Sequence, residues 1–316
     1  MADMKPFRLF CVLAATTLSP AVAQTADPIN GRWDLTVTPK AANAKAYPDW
    51  MEVWIGPGAK AGARGVRLQP RSGSAVWAKQ CKLEATHLSV QWGDGDTTWD
   101  LDLKGDKLTG VEKHGAKVFA DLAGVRAPEL KRNPPKDWTA PAPIFNGKDL
   151  TGWVPTDPAA ANHWVAKDGE LLNESKGANL KTTRKFDDFK LHIEFNCPDD
   201  GNSGIYLRGR YEVQVEYEKV GANDKFHSIG SVYSMIAPAV ELPRTPGKWE
   251  SFDITLVGRW LTVVRNGVKT IDNQEIAGTT GGALDSNEGE PGPFYLQGDH
   301  TGGMKYRNIT VQVPQP

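Results

Sequence analysis

The sequence has few cysteines, almost no net charge and few long apolar runs, and each of these shortages excludes a class of protein. Three cysteines in 316 residues rule out a disulfide scaffold. Cys81 and Cys197 fall in different predicted domains, do not form a metal site by themselves, and are expected to be two separate buried thiols. A formal net charge of −1 offers no basic surface for nucleic acid or an anionic membrane.

The apolar run near the N-terminus has the features of an export signal. Lys5 and Arg8 precede the run Leu9 to Leu18, and Ala21-Val22-Ala23 forms a small-x-small cleavage site. Residues 1–23 are therefore predicted to be a signal peptide, and the mature protein is expected in the periplasm or outside the cell. No other run is long enough to span a bilayer.

The remaining residues have the composition of an all-β protein. Glycine (32), proline (22) and tryptophan (11) accompany many short runs of alternating polar and apolar residues. Short turns between these runs predict an antiparallel β barrel or sandwich over residues 25–125. Residues 126–142 contain four prolines and are predicted to be an extended linker. Residues 143–314 hold about ten further strand patterns and are predicted to form a two-sheet sandwich.

The segment Asn202–Glu216 carries the densest group of chemically useful side chains. It alternates as two short strands joined at Gly209-Arg210, with Ile205 and Leu207 on the apolar face. This pattern predicts a sheet with one dry face and one wet face. The opposite face gathers side chains that bind sugar hydroxyls and move protons. They are Tyr206, Arg208, Glu212, Gln214 and Glu216.

Several linked motifs in the second half resemble one bacterial family. They run in order from Phe145–Trp153, through Asn202–Arg208, Tyr211–Gln214 and Gly230–Tyr233, to Tyr306–Ile309. Residues 144–313 resemble the 3-keto-disaccharide hydrolase family, also described as 3-keto-glucoside lyases and hydratases. The resemblance implies a concanavalin-like jelly roll with its ligand on the concave sheet. The N-terminal domain is not covered by it.

The resemblance also implies a reaction. A 3-keto group acidifies the C2 proton of a sugar, a base removes this proton, and the C1 substituent leaves. Water can then add to the double bond. Glu212 is the candidate base, Arg208 the candidate oxyanion stabiliser, unless it only pairs with Glu212, and His300 a candidate acid or base. The candidate substrate-binding residues are Asn202, Tyr206, Gln214, Glu216, Tyr233 and Gln297.

Other functions stay open at this point. A non-catalytic carbohydrate-binding module is one alternative, and a conventional glycoside hydrolase is another. A retaining hydrolase needs two carboxyl groups about 5–5.5 Å apart, whereas the backbones of Glu212 and Glu216 are about 13 Å apart along a strand. A cross-strand residue such as Glu194 could approach Glu212 more easily, but the sequence gives no direct support for that pairing, so the elimination route is preferred to a two-carboxylate hydrolase.

Cofactors and partners follow from the same residues. No cofactor is assigned. A divalent cation is compatible with the sequence, because it contains side chains that commonly bind metals: Glu212, His192, His227 and His300. The expected partners are a 3-keto-glycoside substrate and an upstream sugar 3-oxidoreductase.

The export signal yields the first prediction. Protein recovered from the periplasm or medium of expressing cells should begin at Gln24, because cleavage follows Ala23. Mass spectrometry of the intact protein measures this. Recovery of the chain with Met1 intact from the cytosol would contradict the prediction.

Overall fold

The computed structural model describes residues 27–56, 65–70, 73–94, 96–218 and 224–315. The predicted signal peptide lies outside them. Within these ranges the chain forms strands and turns without a helix, so the all-β prediction is confirmed. The same ranges accordingly hold no helix long and apolar enough to cross a membrane.

The first half of the chain forms one antiparallel sheet. Its strands are β1 (Gly31–Pro39), β2 (Tyr47–Trp54), β3 (Gly65–Gln69), β4 (Val76–Trp77), β5 (Gln80–Glu84), β6 (His87–Trp92), β7 (Thr97–Lys104), β8 (Lys107–His114) and β9 (Lys117–Arg126). They lie in the order β4-β3-β2-β1-β9-β8-β7-β6-β5, so chain neighbours pair except where β1 meets β9. Alternate side chains such as Trp33, Leu101 and Leu122 form a core on one face of this curled sheet.

The second half forms two more antiparallel sheets. Its strands are β10 (Ala142–Pro143), β11 (Trp153–Pro155), β12 (Trp164–Lys167), β13 (Glu170–Asn173), β14 (Leu180–Thr182), β15 (Phe189–Asn196), β16 (Asn202–Leu207), β17 (Tyr211–Glu216), β18 (Trp249–Val257), β19 (Trp260–Arg265), β20 (Val268–Glu275), β21 (Tyr295–Leu296) and β22 (Met304–Gln312). The larger sheet has the order β12-β13-β22-β15-β18-β19-β20, with β10 beside β22. The smaller sheet has the order β11-β14-β21-β16-β17.

These two sheets pack face to face as the predicted sandwich. Ile205 and Val213 of the smaller sheet share one apolar core with Ile193 and Phe252 of the larger sheet. Because side chains alternate along each strand, the remaining residues of β16 and β17 point away from this core. The outer face of the smaller sheet is therefore where the polar side chains of the two strands meet.

The first sheet docks on the second half through buried groups. Trp50 of β2 belongs to the core of the sandwich, and its Nε1 donates to the carbonyl of Thr279 at 2.7 Å. Asp34 hydrogen-bonds Glu288, and burial together with the charge of Glu288 raises the pKa of Asp34 to about 9. Ser286 Oγ donates to the carbonyl of Leu35 at 3.0 Å. The two halves thus share one apolar anchor and several polar contacts.

The predicted linker runs along the sandwich instead of standing free. Leu130 is buried, and Nη1 of Arg132 reaches Asp187 at 2.6 Å and Asp188 at 3.0 Å. β10 then pairs with β22 of the larger sheet. The domain boundaries at 25–125, 126–142 and 143–314 stay a prediction, since these contacts show where the chain lies and not whether its halves fold apart.

One cysteine differs from expectation. Cys197 is buried as predicted, whereas Cys81 is exposed, and both thiols are free. The reason is that Cys81 lies on β5, an edge strand of the first sheet with few neighbours to cover it. Burial raises the pKa of Cys197 to about 12.

The docking of Trp50 yields the second prediction. A methyl group at Gly278 would meet three indole atoms of Trp50 at 2.5–2.7 Å. Gly278→Ala should therefore destabilise the protein by about 1–3 kcal/mol, the usual cost of overpacking. Thermal unfolding followed by circular dichroism measures the change. Gly289→Ala is the matched control, because a methyl group there meets only ordinary contacts from 3.6 Å; equal melting temperatures for the two variants would contradict the docking.

Candidate active site

The hairpin of β16 and β17 forms as predicted, but its polar face is not wet. Tyr206 pairs with Glu212 across the two strands, and Gly204 pairs with Gln214. Glu212 and Gln214 are each only 4% exposed. The segment 279–282 covers this face, and Thr280 Oγ1 accepts the backbone N–H of Glu212 at 3.0 Å. The polar side chains therefore occupy a dry environment.

Gly204 makes room for the carboxyl group of Glu212. A Cβ at this position would overlap Glu212 Oε1, so only glycine fits opposite Gln214. With its amide nitrogen facing the site, Gln214 donates to Glu212 Oε1 at 3.2 Å and to the carbonyl of Ser203 at 3.3 Å. Tyr206 Oη lies 2.9 Å from the other oxygen, Oε2. The carboxyl group is held at both oxygens by neutral partners.

These contacts favour a protonated Glu212. Tyr206 has a single proton, and Oη also lies 2.6 Å from the carbonyl of Gly281, which can only accept. When the Tyr206 hydroxyl donates to the Gly281 carbonyl, it can only accept in its hydrogen bond with Oε2. Glu212 must then be protonated and act as the donor in that bond. Burial raises the pKa of Glu212 to about 8; the hydrogen bond with Tyr206 opposes the rise and the charge of Asp299 adds to it.

Two stacked tyrosines form the floor beside Glu212. The rings of Tyr206 and Tyr295 lie 3.8 Å apart between centroids and 13° from parallel. Tyr295 Oη donates to the carbonyl of Gly282 at 2.6 Å. Gly282 has a φ of +83°, and a Cβ there would lie 2.7 Å from Tyr206 Oη. Glycine is thus needed for the covering segment to close over both rings.

A second carboxyl group, Asp299, lies on the rim of the same site. Its Oδ1 is 2.9 Å from Nδ1 of His300, and its Oδ2 accepts from Asn179 at 3.3 Å. Burial of Asp299 favours a raised pKa, but the hydrogen bond and charge of His300, aided by Asn179, outweigh burial and lower the pKa. One site therefore holds a carboxyl group with a raised pKa and another with a lowered pKa.

These groups line a cavity of about 160 Å³. Seven of the nine predicted site residues meet there. They are Asn202, Tyr206, Glu212, Gln214, Tyr233, Gln297 and His300. Asp299 and the covering pair Gly281-Gly282 were not predicted, although the adjacency of Asp299 to His300 was a usable signal.

Arg208 is not in the cavity, so its prediction as oxyanion stabiliser is wrong, and so is its alternative pairing with Glu212. β16 ends at Leu207, and Arg208 has a φ of +51°, which takes its side chain out of the strand alternation. Fully buried, it contacts Asp187 at 3.2 Å and donates to Tyr211 Oη at 3.1 Å. These contacts connect the residue after β16 to Asp187 and to Tyr211 at the start of β17.

Glu216 also lies outside the cavity, contrary to prediction. Its Oε2 accepts the backbone N–H of Glu218 at 2.7 Å, and it lines a separate depression with Lys225 and Arg244. Since it stands at the far end of β17, the spacing along the strand separates it from Glu212.

Glu194, the alternative carboxylate partner considered for Glu212, does not approach it either. Glu194 lies on β15 in the larger sheet, where it binds Arg307 at 2.6 Å and Asn308 at 2.7 Å. His192 on the same strand binds Asp253 at 2.7 Å. No three His, Cys, Asp or Glu side chains among the described residues are grouped to hold a metal ion. The divalent cation stays a prediction.

Larger depressions exist elsewhere, and two of them contain carboxylates that are paired with arginine. One of about 560 Å³ contains Arg32 and Glu275, whose charged atoms lie 2.7 Å apart. Another of about 610 Å³ contains Glu194, which binds Arg307. The 160 Å³ cavity is distinguished by a buried carboxyl group without a cationic partner among the residues that line it.

An all-β sandwich with a small polar cavity, lined by carboxyl, amide and tyrosine groups on one sheet, defines a carbohydrate-active protein of the glycosyl-hydrolase-like class. Residues 140–312, more than half of the chain, match the family model described as the 3-keto-alpha-glucoside-1,2-lyase-like domain. The chain belongs to this family. No curated protein matches it.

Three solved structures from Parabacteroides distasonis ATCC 8503 are similar to part of this chain. Each protein is described as a candidate glycosyl hydrolase. The first is 29% identical, with 58% of this chain and 93% of that one covered and a TM-score of 0.45. The second is 18% identical, with coverages of 55% and 92% and a TM-score of 0.45. The third is 21% identical, with coverages of 56% and 100% and a TM-score of 0.43.

The raised pKa of Glu212 yields the third prediction. In the folded protein this pKa is about 8, against an ordinary 4.5, so the folded state binds more protons between these values and loses stability as the pH rises. Glu212→Gln removes this loss. The melting temperature of Glu212→Gln relative to the unaltered protein should therefore climb from pH 5 to pH 8.5.

The comparison uses the pH dependence and not the absolute melting temperature, because Gln also changes the hydrogen bonds of Tyr206. Asp34 also has a raised pKa, but it is present in both proteins, so its effect cancels in the difference between their melting temperatures. A difference in melting temperature that stays constant from pH 5 to pH 8.5 would contradict the burial of an unpaired carboxyl group.

Proposed function

We propose that this protein is an exported enzyme that cleaves 3-keto-glycosides by β-elimination, with hydration of the product completing a net hydrolysis. The observation that carries the proposal is the buried, cation-free carboxyl group of Glu212, whose pKa is raised to about 8. Membership of the 3-keto-alpha-glucoside-1,2-lyase-like family supports the choice of substrate.

Glu212 is assigned the role of base. Removing a proton from carbon needs a base stronger than an ordinary carboxylate, and a base with a pKa near the working pH combines strength with availability. Burial supplies that strength here. Gln214 at 3.2 Å and Tyr206 at 2.9 Å orient the two oxygens of Glu212 toward the cavity.

His300 takes the oxyanion role that sequence analysis predicts for Arg208. As negative charge develops on the 3-oxo oxygen, a donor must face it. Asp299 lies 2.9 Å from Nδ1 of His300, which leaves Nε2 for the substrate. A ring protonated on both nitrogens donates to Asp299 from one and to the substrate from the other.

The cavity suits a single sugar ring. Its volume of about 160 Å³ is small beside the ~300–1,000 Å³ of pockets that enclose larger ligands. Gln297 Oε1 is buried in the described structure without a hydrogen-bond partner. A ring hydroxyl would satisfy this acceptor, with the amide of Asn202 also on the cavity wall. A separate sugar 3-oxidoreductase would supply the oxidised substrate.

Conventional glycoside hydrolysis is the second candidate. Such a hydrolase needs one protonated carboxyl group as the acid and one ionised carboxylate as the nucleophile or base. The raised pKa of Glu212 suits the acid, and the lowered pKa of Asp299 suits the nucleophile or base. In that mechanism Glu212 donates its proton to the glycosidic oxygen. The two candidates therefore predict opposite effects of pH.

The fourth prediction separates them. The purified protein should release aglycone from a 3-keto-glucoside and not from the parent glucoside, and kcat/KM should rise as Glu212 loses its proton through about pH 8. Chromatography of the released aglycone measures both. Glu212→Gln should lower the rate roughly 10²- to 10⁴-fold, the usual range for loss of a general base.

The other outcomes are equally specific. Cleavage of the unoxidised glucoside, with kcat/KM falling above pH 8, identifies the conventional hydrolase. Binding of either sugar without turnover identifies a carbohydrate-binding module. A near-normal rate for Glu212→Gln would remove Glu212 from the role of base.

A further inference from the structure

The first half of the chain binds the start of the segment that covers Glu212. Trp50 of β2 is only 1% exposed, and its indole Nε1 donates to the carbonyl of Thr279, the first residue of the covering segment, at 2.7 Å. Gly278, one residue earlier, packs against the same indole, where a Cβ would come within 2.5–2.7 Å of three ring atoms. The indole therefore both hydrogen-bonds and packs against the beginning of the cover.

An ion pair holds the chain just before this point. Glu275 is the last residue of β20, and its Oε1 lies 2.7 Å from Nη1 of Arg32 on β1. Arg32 pairs with Glu52 across the two strands, and Glu52 is two residues from Trp50. Because side chains alternate along a strand, Arg32 and Trp50 lie on the same face of the first sheet. This face thus holds the chain at residues 275 and 279.

The covering segment also binds the candidate active site. Thr280 Oγ1 accepts the backbone N–H of Glu212 at 3.0 Å, and the carbonyl of Gly281 accepts from Tyr206 Oη at 2.6 Å. The group that binds the first half and the group that binds Glu212 are therefore on adjacent residues, Thr279 and Thr280. Since a rigid peptide unit joins these two residues, a displacement of one moves the other.

The carbonyl of Thr279 depends on the indole for its hydrogen bond. Thr279 is buried, and a buried carbonyl without a donor loses the hydrogen bonds that water would give it. The hydroxyl of the same residue has no hydrogen-bond partner in the part of the chain that the structure describes. Without the N–H of Trp50, this residue would gain by turning toward water, and the covering segment would turn with it.

Other contacts between the halves do not involve the cover. Lys45 Nζ lies 3.2 Å from Oδ2 of Asp157, and Ser286 Oγ donates to the carbonyl of Leu35 at 3.0 Å. These contacts help to hold the two halves together, yet none of their residues lies between 275 and 282. The contacts of Trp50 and the ion pair of Arg32 are different because they act on the chain that leads directly into the active site.

We propose that the first half of the chain is a working part of the active site: Trp50, assisted by Arg32, positions the covering segment and through it Glu212. Trp50 is a positioning residue, since it is not among the residues that line the cavity. The proposal rests on the proposed function for the reaction of Glu212. It adds a role for the first half, most of which lies outside the family match at residues 140–312.

The pKa of Glu212 reports on the position of the cover. The titratable groups around its carboxyl group all belong to the second half of the chain. They are Tyr206, Tyr233, Tyr295, Asp299, His300 and Tyr306. None of them is altered by a substitution of Trp50. If the cover shifts and water reaches Glu212, burial no longer raises its pKa to about 8, and the pKa falls toward the ordinary 4.5.

The fifth prediction compares two buried tryptophans of the first half. Trp33 is the matched control for Trp50, because its Nε1 also donates to a backbone carbonyl, that of Ile29 at 2.9 Å, but within the first half. Trp50→Phe should lower kcat/KM on a 3-keto-glucoside by roughly 10- to 100-fold, mainly through kcat, because Glu212 is misplaced. Trp33→Phe should leave kcat/KM nearly unchanged at a temperature where circular dichroism shows both variants folded.

A second readout needs no turnover. With a lower pKa for Glu212, the folded state binds fewer extra protons between pH 4.5 and pH 8 and loses less stability as the pH rises. Glu212→Gln is therefore added to each tryptophan variant. The climb in its melting temperature relative to the parent variant, from pH 5 to pH 8.5, should be smaller with Trp50→Phe than with Trp33→Phe.

A second set of variants applies if Trp50→Phe does not fold. Arg32→Gln breaks the ion pair with Glu275 and should reduce both kcat/KM and the climb in melting temperature. Arg32→Lys keeps the charge and should restore most of both. Lys45→Gln is the control, since it breaks an ion pair between the halves that lies away from the cover, and should change neither.

The outcomes are distinguishable. Equal rates and an equal climb for the two tryptophan variants would overturn the proposal and leave Trp50 a docking contact alone. Equal losses in both variants would overturn it too, because they would reflect only a weakened first half. If the unaltered protein cleaves no 3-keto-glucoside, the proposed function fails, whereas the melting temperatures still decide whether Trp50 positions Glu212.

Discussion

The burial of Glu212 without a cation is the constraint around which the rest of the site is arranged. An isolated carboxylate is costly in a dry environment, so the group keeps its proton unless something else neutralises it. Gly204 gives it space, Gln214 and Tyr206 hold its oxygens, and Thr280 of the segment 279–282 binds its backbone N–H. The same arrangement that makes the folded protein less stable at high pH makes the carboxylate, once formed, a strong base.

Much of the fold could be predicted because it depends on local patterns. β18 and β19 are runs of alternating residues, and Asn266-Gly267, a dipeptide that favours two-residue hairpin turns, connects β19 to β20 with φ values of 50° and 78°. The strand order of the nine-stranded sheet was harder to predict from the sequence. Its order depends on β1 pairing with β9, and no short-range pattern specifies which distant strands meet.

The site was predicted where strand alternation holds and missed where it stops. Tyr206 and Glu212 share a face because both lie inside paired strands. Arg208 follows the last residue of its strand and turns away through its positive φ. Asp299 comes from a loop, so its presence in the cavity depends on tertiary packing alone.

The position of Trp50 in the sandwich core has a consequence for how the chain reaches its final state. Its hydrogen-bond partner, Thr279, lies 229 residues later in the sequence. During synthesis the first sheet emerges long before the surface that receives this indole exists. Trp50 must therefore remain uncovered on an incomplete molecule until the segment that contains Thr279 has been synthesised.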